Sequence, residues 1–388
     1  MGDRVTEVYL DHAAATPVAS EVLAEMTPYF CERFYNPAAP YSVARAANAD
    51  LERARARVAA VLATRADNIT FTAGATEANN LAFAACDGHV VCSAIEHQSV
   101  LACAEARGAT LVGVSGTGLV DPADVARAIT PQTELVSVAL ANGEVGTIQP
   151  LRAIARVVAA ERQRRLEAGE RRPLLLHTDA SQAAGYVSLN TSTLGADLVT
   201  VSAAKTYGPK QVGVLWHADG VALRPLVLGG GQEGGVRSGT QNVAGAVGMA
   251  RALELAEQLR GQEVRRLREL ASRMREQLCD AVPDVVLSGP KKASSRLPGL
   301  VHASFADTDA RRLIVLLERK GVYVGTGSAC AASKMRVSHV LLAMGVPTSV
   351  AMGSLRITMG RSTTEQDVDY ATSAIVSCVR AERERRRA

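Results

Sequence analysis

Leu174-Leu175-Leu176-His177-Thr178-Asp179-Ala180-Ser181-Gln182 and, further on, Leu198-Val199-Thr200-Val201-Ser202-Ala203-Ala204-Lys205 decide how the chain reads. Each opens with a short run rich in aliphatic and β-branched residues and passes at once into polar ones. Runs of this length without alternation are strands buried on both faces, as in a parallel sheet. Three more precede them: Ile69-Thr70-Phe71-Thr72, Val90-Val91-Cys92-Ser93, and Leu135 to Leu140. Between the strands lie stretches with helical spacing, such as 49–62, where Leu51, Ala54, Val58, Val61 and Leu62 recur. The alternation predicts βαβ units, and hence an α/β fold around a mostly parallel sheet of the seven-stranded type.

After Gly245 the texture changes. A long charged helical region from Ala246 to Leu278 leads into strands at Val285–Leu287, Leu300–Phe305, Val322–Val324 and Leu355–Thr358. Helices are expected at Asp309–Lys320, Ser338–Met344 and Glu365–Arg383. This is the pattern of a smaller α+β domain. The expected division is a large domain over 20–255 and a small one built from 1–19 together with 256–388.

The composition supports a packed two-domain protein: 388 residues, 47% of them apolar and 21% charged. The 43 basic residues exceed the 39 acidic ones only slightly, so nucleic acid is not an expected ligand. The Arg-rich stretches 162–172 and 380–387 interleave Glu, which predicts solvated, self-paired helix faces. No leader and no long apolar span is visible, which predicts a cytoplasmic protein that does not enter membranes. Seven scattered cysteines without metal-ligand spacing predict neither disulfides nor a bound metal.

Ligands of open α/β sheets bind beyond the carboxyl ends of the strands. There the sequence places Thr72-Ala73-Gly74-Ala75-Thr76-Glu77, Glu96-His97, Asn142, Asp179 with Gln182, and Lys205. Thr76 is either a helix cap or, with free backbone N–H groups, part of a phosphate site. An amine, a carboxylate and a phosphate cup are what pyridoxal phosphate needs: Lys205 for the Schiff base, Asp179 for the ring nitrogen. Lys210 is the rival amine, but it follows Pro209, which turns the chain away. The Gly-rich segment Gly229 to Thr240 matches no nucleotide loop, yet its Arg237, Ser238 and Thr240 offer donors to an anion. Cys330, within Gly327-Ser328-Ala329-Cys330-Ala331-Ala332-Ser333, has small neighbours, which favours a reactive over a structural thiol. Arg356 is either a carboxylate-binding fork or a surface arginine.

These residues together resemble the cysteine desulfurases, fold-type I pyridoxal-phosphate enzymes of the class V aminotransferase group. The resemblance runs along nearly the whole chain, from Tyr9-Leu10-Asp11-His12-Ala13-Ala14-Ala15-Thr16-Pro17 through Gly74-Ala75-Thr76-Glu77-Ala78-Asn79-Asn80, Asn142-Gly143-Glu144-Val145-Gly146 and Arg237-Ser238-Gly239-Thr240 to Arg356 and Gly360-Arg361. It implies that Lys205 carries the cofactor, Asp179 pairs the ring nitrogen, Gln182 bonds the ring hydroxyl and His97 stacks on the ring. Ala75, Thr76 and Ser202 hold the phosphate, and Thr240 reaches the phosphate of the neighbouring subunit, which makes the protein a homodimer with shared sites. Asn142, Arg356 and Ala14 bind L-cysteine. Cys330 takes its sulfur as a persulfide for an acceptor protein, leaving L-alanine.

The thiol segment resembles the group I enzymes that supply iron–sulfur assembly and tRNA thiolation. Two departures stand out. Ser202-Ala203-Ala204-Lys205 lacks the family's imidazole before the lysine, which implies weaker cofactor retention, and Ala331 to Val337 replaces the usual continuation. With an apparent insertion at 161–172, this suits a specialised relative such as a sulfur donor for DNA phosphorothioation. The rival readings are a selenocysteine lyase or aminotransferase on the same fold, and a non-catalytic binding subunit.

Overall fold

Aliphatic and β-branched runs become strands because such side chains pack well on a pleated surface covered from both sides. The computed structural model describes residues 7–326 and 337–387. Its strands, in chain order, are β1 (Val8–Tyr9), β2 (Ile69–Thr72), β3 (His89–Ser93), β4 (Thr110–Val112), β5 (Thr133–Ser137), β6 (Leu175–Asp179), β7 (Leu198–Ser202), β8 (Gly213–His217), β9 (Val286–Leu287), β10 (Leu300–Ser304), β11 (Val322–Tyr323) and β12 (Ser354–Thr358).

A seven-stranded sheet runs in the order β2-β8-β7-β6-β5-β3-β4. The pairs among β3 to β7 are parallel, while β8 lies antiparallel between β2 and β7. The mostly parallel α/β sheet is therefore present. Two of its strands, the short edge strand β4 and the reversed β8, are not among those expected from the sequence. The reversal matters for the site. Ser202 at the end of β7 pairs with Gly213, and Gly213 pairs with Thr72 at the end of β2. The carboxyl ends of β2 and β7 thus sit at one level, on the same edge as those of β3, β5 and β6.

Several boundaries move for physical reasons. The expected strand Leu135 to Leu140 is assigned only over Thr133–Ser137. Beyond it, Val138 and Leu140 still donate to the β6 carbonyls of His177 and Asp179, but the Ala139 N–H turns to the Glu96 carboxylate at 2.7 Å. The helix expected over 49–62 begins earlier, at Ser42, because the Ala-rich 44–50 segment carries the same buried face upstream. The long charged helix is continuous over Val243–Ala281.

That helix serves two cores. Val243, Ala246, Val247, Ala250 and Leu253 pack with the seven-stranded sheet. Leu267, Leu270, Ala271, Met274 and Leu278 pack in a second cluster with β10, β12 and the helices Ala310–Glu318 and Glu365–Arg387. The second cluster surrounds an antiparallel sheet, β12-β10-β9, and includes Val8 and Leu10 of the N-terminal segment, where β1 pairs in parallel with β11.

The two Arg-rich stretches are not wholly solvated, which corrects the sequence reading. Arg164 does pair on the surface with Glu161 and Glu170. Arg165, however, falls on the same helix face as the buried Ile154 and Val158. It is itself buried and donates to the carbonyls of Thr133 at 2.9 Å and Thr130 at 3.0 Å, and to Glu161 at 2.8 Å. Glu382 is likewise buried and accepts from Arg312 and Arg385, each at 2.8 Å. Helical periodicity turned one residue of each charged stretch inward, where full hydrogen bonding offsets the cost of burying its charge.

Candidate active site

The first part of the site is a cup at the end of β2. Gly74 takes φ +122°, a backbone state L side chains rarely adopt, and caps the helix Ala75–Ala84. Thr76 is therefore the second residue of that helix, not its cap. A Cβ on Gly213 would come within 2.7 Å of the Gly74 backbone, so a glycine on β8 is what lets this turn lie against the sheet. First-turn N–H groups have no partner within their helix, and Ala75 and Thr76 line the cavity here together with Ser202. The Glu77 carboxylate at the rim of the same cavity is already engaged, accepting from the Ala73 N–H at 2.7 Å and pairing with Arg237 at 2.9 Å.

The second part follows β3 and β6. Asp179 accepts from Asn79 Nδ2 and from the Ser181 N–H, each at 2.9 Å. His97 precedes the helix Gln98–Ala106, and its Nδ1 accepts from the Ser99 N–H at 3.2 Å. Burial lowers the imidazole's pKa, with Asp179 opposing and Lys205, His339 and Arg356 adding to the shift, so the ring is neutral at neutral pH. Burial pushes the carboxyl of Glu96 up to about 8, which keeps it largely protonated there.

The third part brings the amine and the guanidinium. Lys205 ends a short turn after β7, and its Nζ donates to the carbonyls of Ala13 at 2.9 Å and Ala14 at 2.5 Å. Gln182 Nε2 also donates to the Ala13 carbonyl, at 3.0 Å. Asn142 fixes its own turn: Oδ1 accepts from the Glu144 and Val145 N–H groups, and Nδ2 donates to the Ile95 carbonyl at 2.9 Å, leaving one N–H. Arg356, on β12, is buried rather than on the surface. It pairs with Asp11 at 2.8 Å, and its Nε has no partner among the described residues.

A cavity of about 580 Å³ is lined by Ala14, Ala75, Thr76, His97, Asn142, Asp179, Gln182, Ser202, Lys205 and Arg356. The residues expected to hold the cofactor and the substrate therefore share one space, with the exception of Thr240. Thr240 is exposed and lines a separate, neighbouring hollow. Cys330 lies outside the described residues. Lys210 does not line the main cavity; its Nζ donates to the Thr16 carbonyl at 2.7 Å. In the Gly-rich segment, Arg237 is turned to Glu77, and Glu233 is paired with Arg55.

Residues not foreseen as part of the site are Asn79, Ser99 and His339. Asn79 stands three positions beyond Thr76, one helical turn on, and that spacing was the available signal. His339 lines the cavity and bonds the Glu96 carbonyl at 3.0 Å, a contact between distant segments that no local pattern announces.

The donor set fits pyridoxal phosphate. Free N–H groups and hydroxyls lie at one end, a carboxylate with both oxygens already held lies beneath, and an amine stands beside them. Beyond it, a buried guanidinium with an unused N–H suits the carboxylate of an amino acid.

The aminotransferase class-V model matches residues 8–371. The cysteine desulfurase IscS of Dictyoglomus turgidum is 38% identical over 381 residues, covering 95% of this chain and 93% of that protein. Among solved structures, a NifS-like protein superposes with a TM-score of 0.86 at 33% identity, covering 96% of this chain and 99% of its own. SspA in complex with cysteine superposes with a TM-score of 0.74 at 29% identity, covering 91% and 98%. With the family model spanning both cores and the cavity between them, the chain belongs to the class-V aminotransferase family.

Proposed function

We propose that the chain is a pyridoxal-phosphate cysteine desulfurase that converts L-cysteine to L-alanine and passes the sulfur, carried on Cys330, to an acceptor protein in the cytoplasm. The observation that carries this reading is the shared cavity, in which Lys205, Asp179 and Thr76 face the same space as Asn142 and Arg356. Relatives named as cysteine desulfurases, and the cysteine held by SspA, support the choice of substrate.

When bound, the cofactor supplies an aldehyde and an electron-withdrawing ring. Lys205 offers the amine, Asp179 keeps the ring nitrogen protonated, and Gln182 bonds the ring hydroxyl while His97 covers the ring. Ala75, Thr76 and Ser202 bind the phosphate. Ala204 lines the same cavity without adding a donor. Arg356, exchanging Asp11 for the substrate, binds its carboxylate with Asn142, beside Ala14. The Cys330 thiolate then bonds to the substrate sulfur as the C–S bond breaks. The electron pair stays with carbon, which takes a proton to become alanine.

The direct test is incubation of the full chain with L-cysteine and a reductant. Equal amounts of alanine and sulfide are expected. A keto acid instead of alanine would make it an aminotransferase, and turnover of selenocysteine alone a lyase. No cofactor and no turnover would leave a binding subunit.

The same reading makes the protein a homodimer. Thr240 stands outside its own chain's cavity, exposed, on the segment whose Arg237 bridges Val227, and Leu226, Val227 and Leu228 there are exposed too. A partner covering these side chains would receive Thr240 at its phosphate. Mixing Thr240→Ala with Lys205→Ala subunits should then put both lesions in one site and restore activity, at limiting cofactor, in the other. Mixed dimers that form without recovering activity would reject the shared site.

A further inference from the structure

A run of hydrogen bonds through the buried Asn79 joins two residues that the proposed function uses separately. Asn79 is wholly buried, and its Nδ2 donates to Asp179 Oδ2 at 2.9 Å and to Ser99 Oγ at 2.9 Å. Ser99 Oγ lies 2.8 Å from His97 Nδ1, the same nitrogen that accepts from the Ser99 N–H. Because a carboxylate only accepts, the amide of Asn79 must turn its NH₂ toward Asp179. Its second hydrogen goes to Ser99 Oγ, so the hydroxyl's own hydrogen points onward to His97 Nδ1. That nitrogen, facing two donors, is the unprotonated one. The ring hydrogen is therefore on Nε2.

We infer that Asn79 and Ser99 are positioning residues that carry the orientation set by Asp179 to His97, holding its imidazole as the neutral Nε2–H form and presenting one defined donor inside the cavity. The inference rests on the desulfurase reading for its use, but not for its geometry. The charged and titratable groups around His97 are Asp179, which favours the imidazolium, and Lys205, His339 and Arg356, which disfavour it, with Glu96 as its chain neighbour. The Ser99 hydroxyl adds to the second group, because its bond to Nδ1 is lost when that nitrogen takes a proton. Neither residue touches the ligand in this scheme. They act through His97.

The test is a pH titration of the full chain, with and without cofactor, labelled with ¹⁵N-histidine, with His97→Gln assigning the signal. Wild-type ring shifts should report the Nε2–H tautomer. Ser99→Ala should mix the tautomers and raise the pKa of His97 by about half a unit to one unit, the size of one ordinary hydrogen bond. The acid limb of kcat should move up with it, and Ser99→Thr should return both. If Ser99→Ala does not fold, Asn79→Ala breaks the run at its other end and should show the same mixing. Unchanged ring shifts and pKa in whichever variant folds overturn the inference. Ring shifts need no turnover, so a wild type that shows the tautomer yet makes no alanine would reject the desulfurase reading alone.

Discussion

Replacing Lys205 with alanine should abolish the visible absorbance of the bound cofactor and lower alanine production by about a thousandfold or more. Lys205 is the only lysine among the described residues lining the cavity, and its Nζ is held there by two carbonyls of the N-terminal segment. Those carbonyls lose a charged donor in the variant, at a cost of about 1–3 kcal/mol, which a denaturation curve would detect without confusing it with loss of chemistry. Lys210→Ala is the control: its amine is engaged with Thr16, so activity should stay within a few-fold of wild type. Borohydride reduction followed by peptide mass analysis should mark Lys205. A mark on Lys210 would overturn the assignment.

Cys330→Ser should keep cofactor colour and cysteine binding while sulfide and alanine release fall by about a hundredfold or more, because a hydroxyl is a far poorer nucleophile toward sulfur than a thiolate. No cysteine among the described residues lines the cavity. Cys86, Cys92 and Cys378 are buried and their thiols are pushed up by burial, Cys86 to about 11, which leaves them inert at neutral pH. Cys31 and Cys279 are exposed elsewhere. The residues flanking the thiol segment do reach the site. Gly325 exchanges backbone hydrogen bonds with Arg356, and His339 lines the cavity. Alanine formed at the wild-type rate by the serine variant would reject the persulfide route.

The sheet was legible because its strands are short apolar runs, and the candidate site because each run ends in a polar residue on one edge. β8 was harder. Its Gly213-Val214-Leu215-Trp216-His217 is a fair strand, but nothing local says that it runs backwards between β2 and β7. Ion pairs and buried polar contacts were the least legible. Arg356 meets Asp11 across almost the full length of the chain, and Asn79, on a helix, meets Asp179 at the end of β6, 100 residues on. Such pairs are fixed by tertiary packing, whereas periodicity reports only which face of an element turns inward. Arg165 and Glu382 show the limit from the other side, since their neighbours in sequence describe a surface and their faces describe a core.

The helix Val243–Ala281 works as a drive shaft. Its upstream face is keyed into one core and its downstream face into the other, with only 257–266 between. One residue added or removed in that interval would turn the downstream keys by about 100° and slide them by about 1.5 Å, unseating one core while leaving the other intact. The residue count of this stretch is therefore as much a part of the fold as its tethered side chain, Arg266, which donates to the carbonyls of Gly360 at 2.8 Å and Thr363 at 2.6 Å.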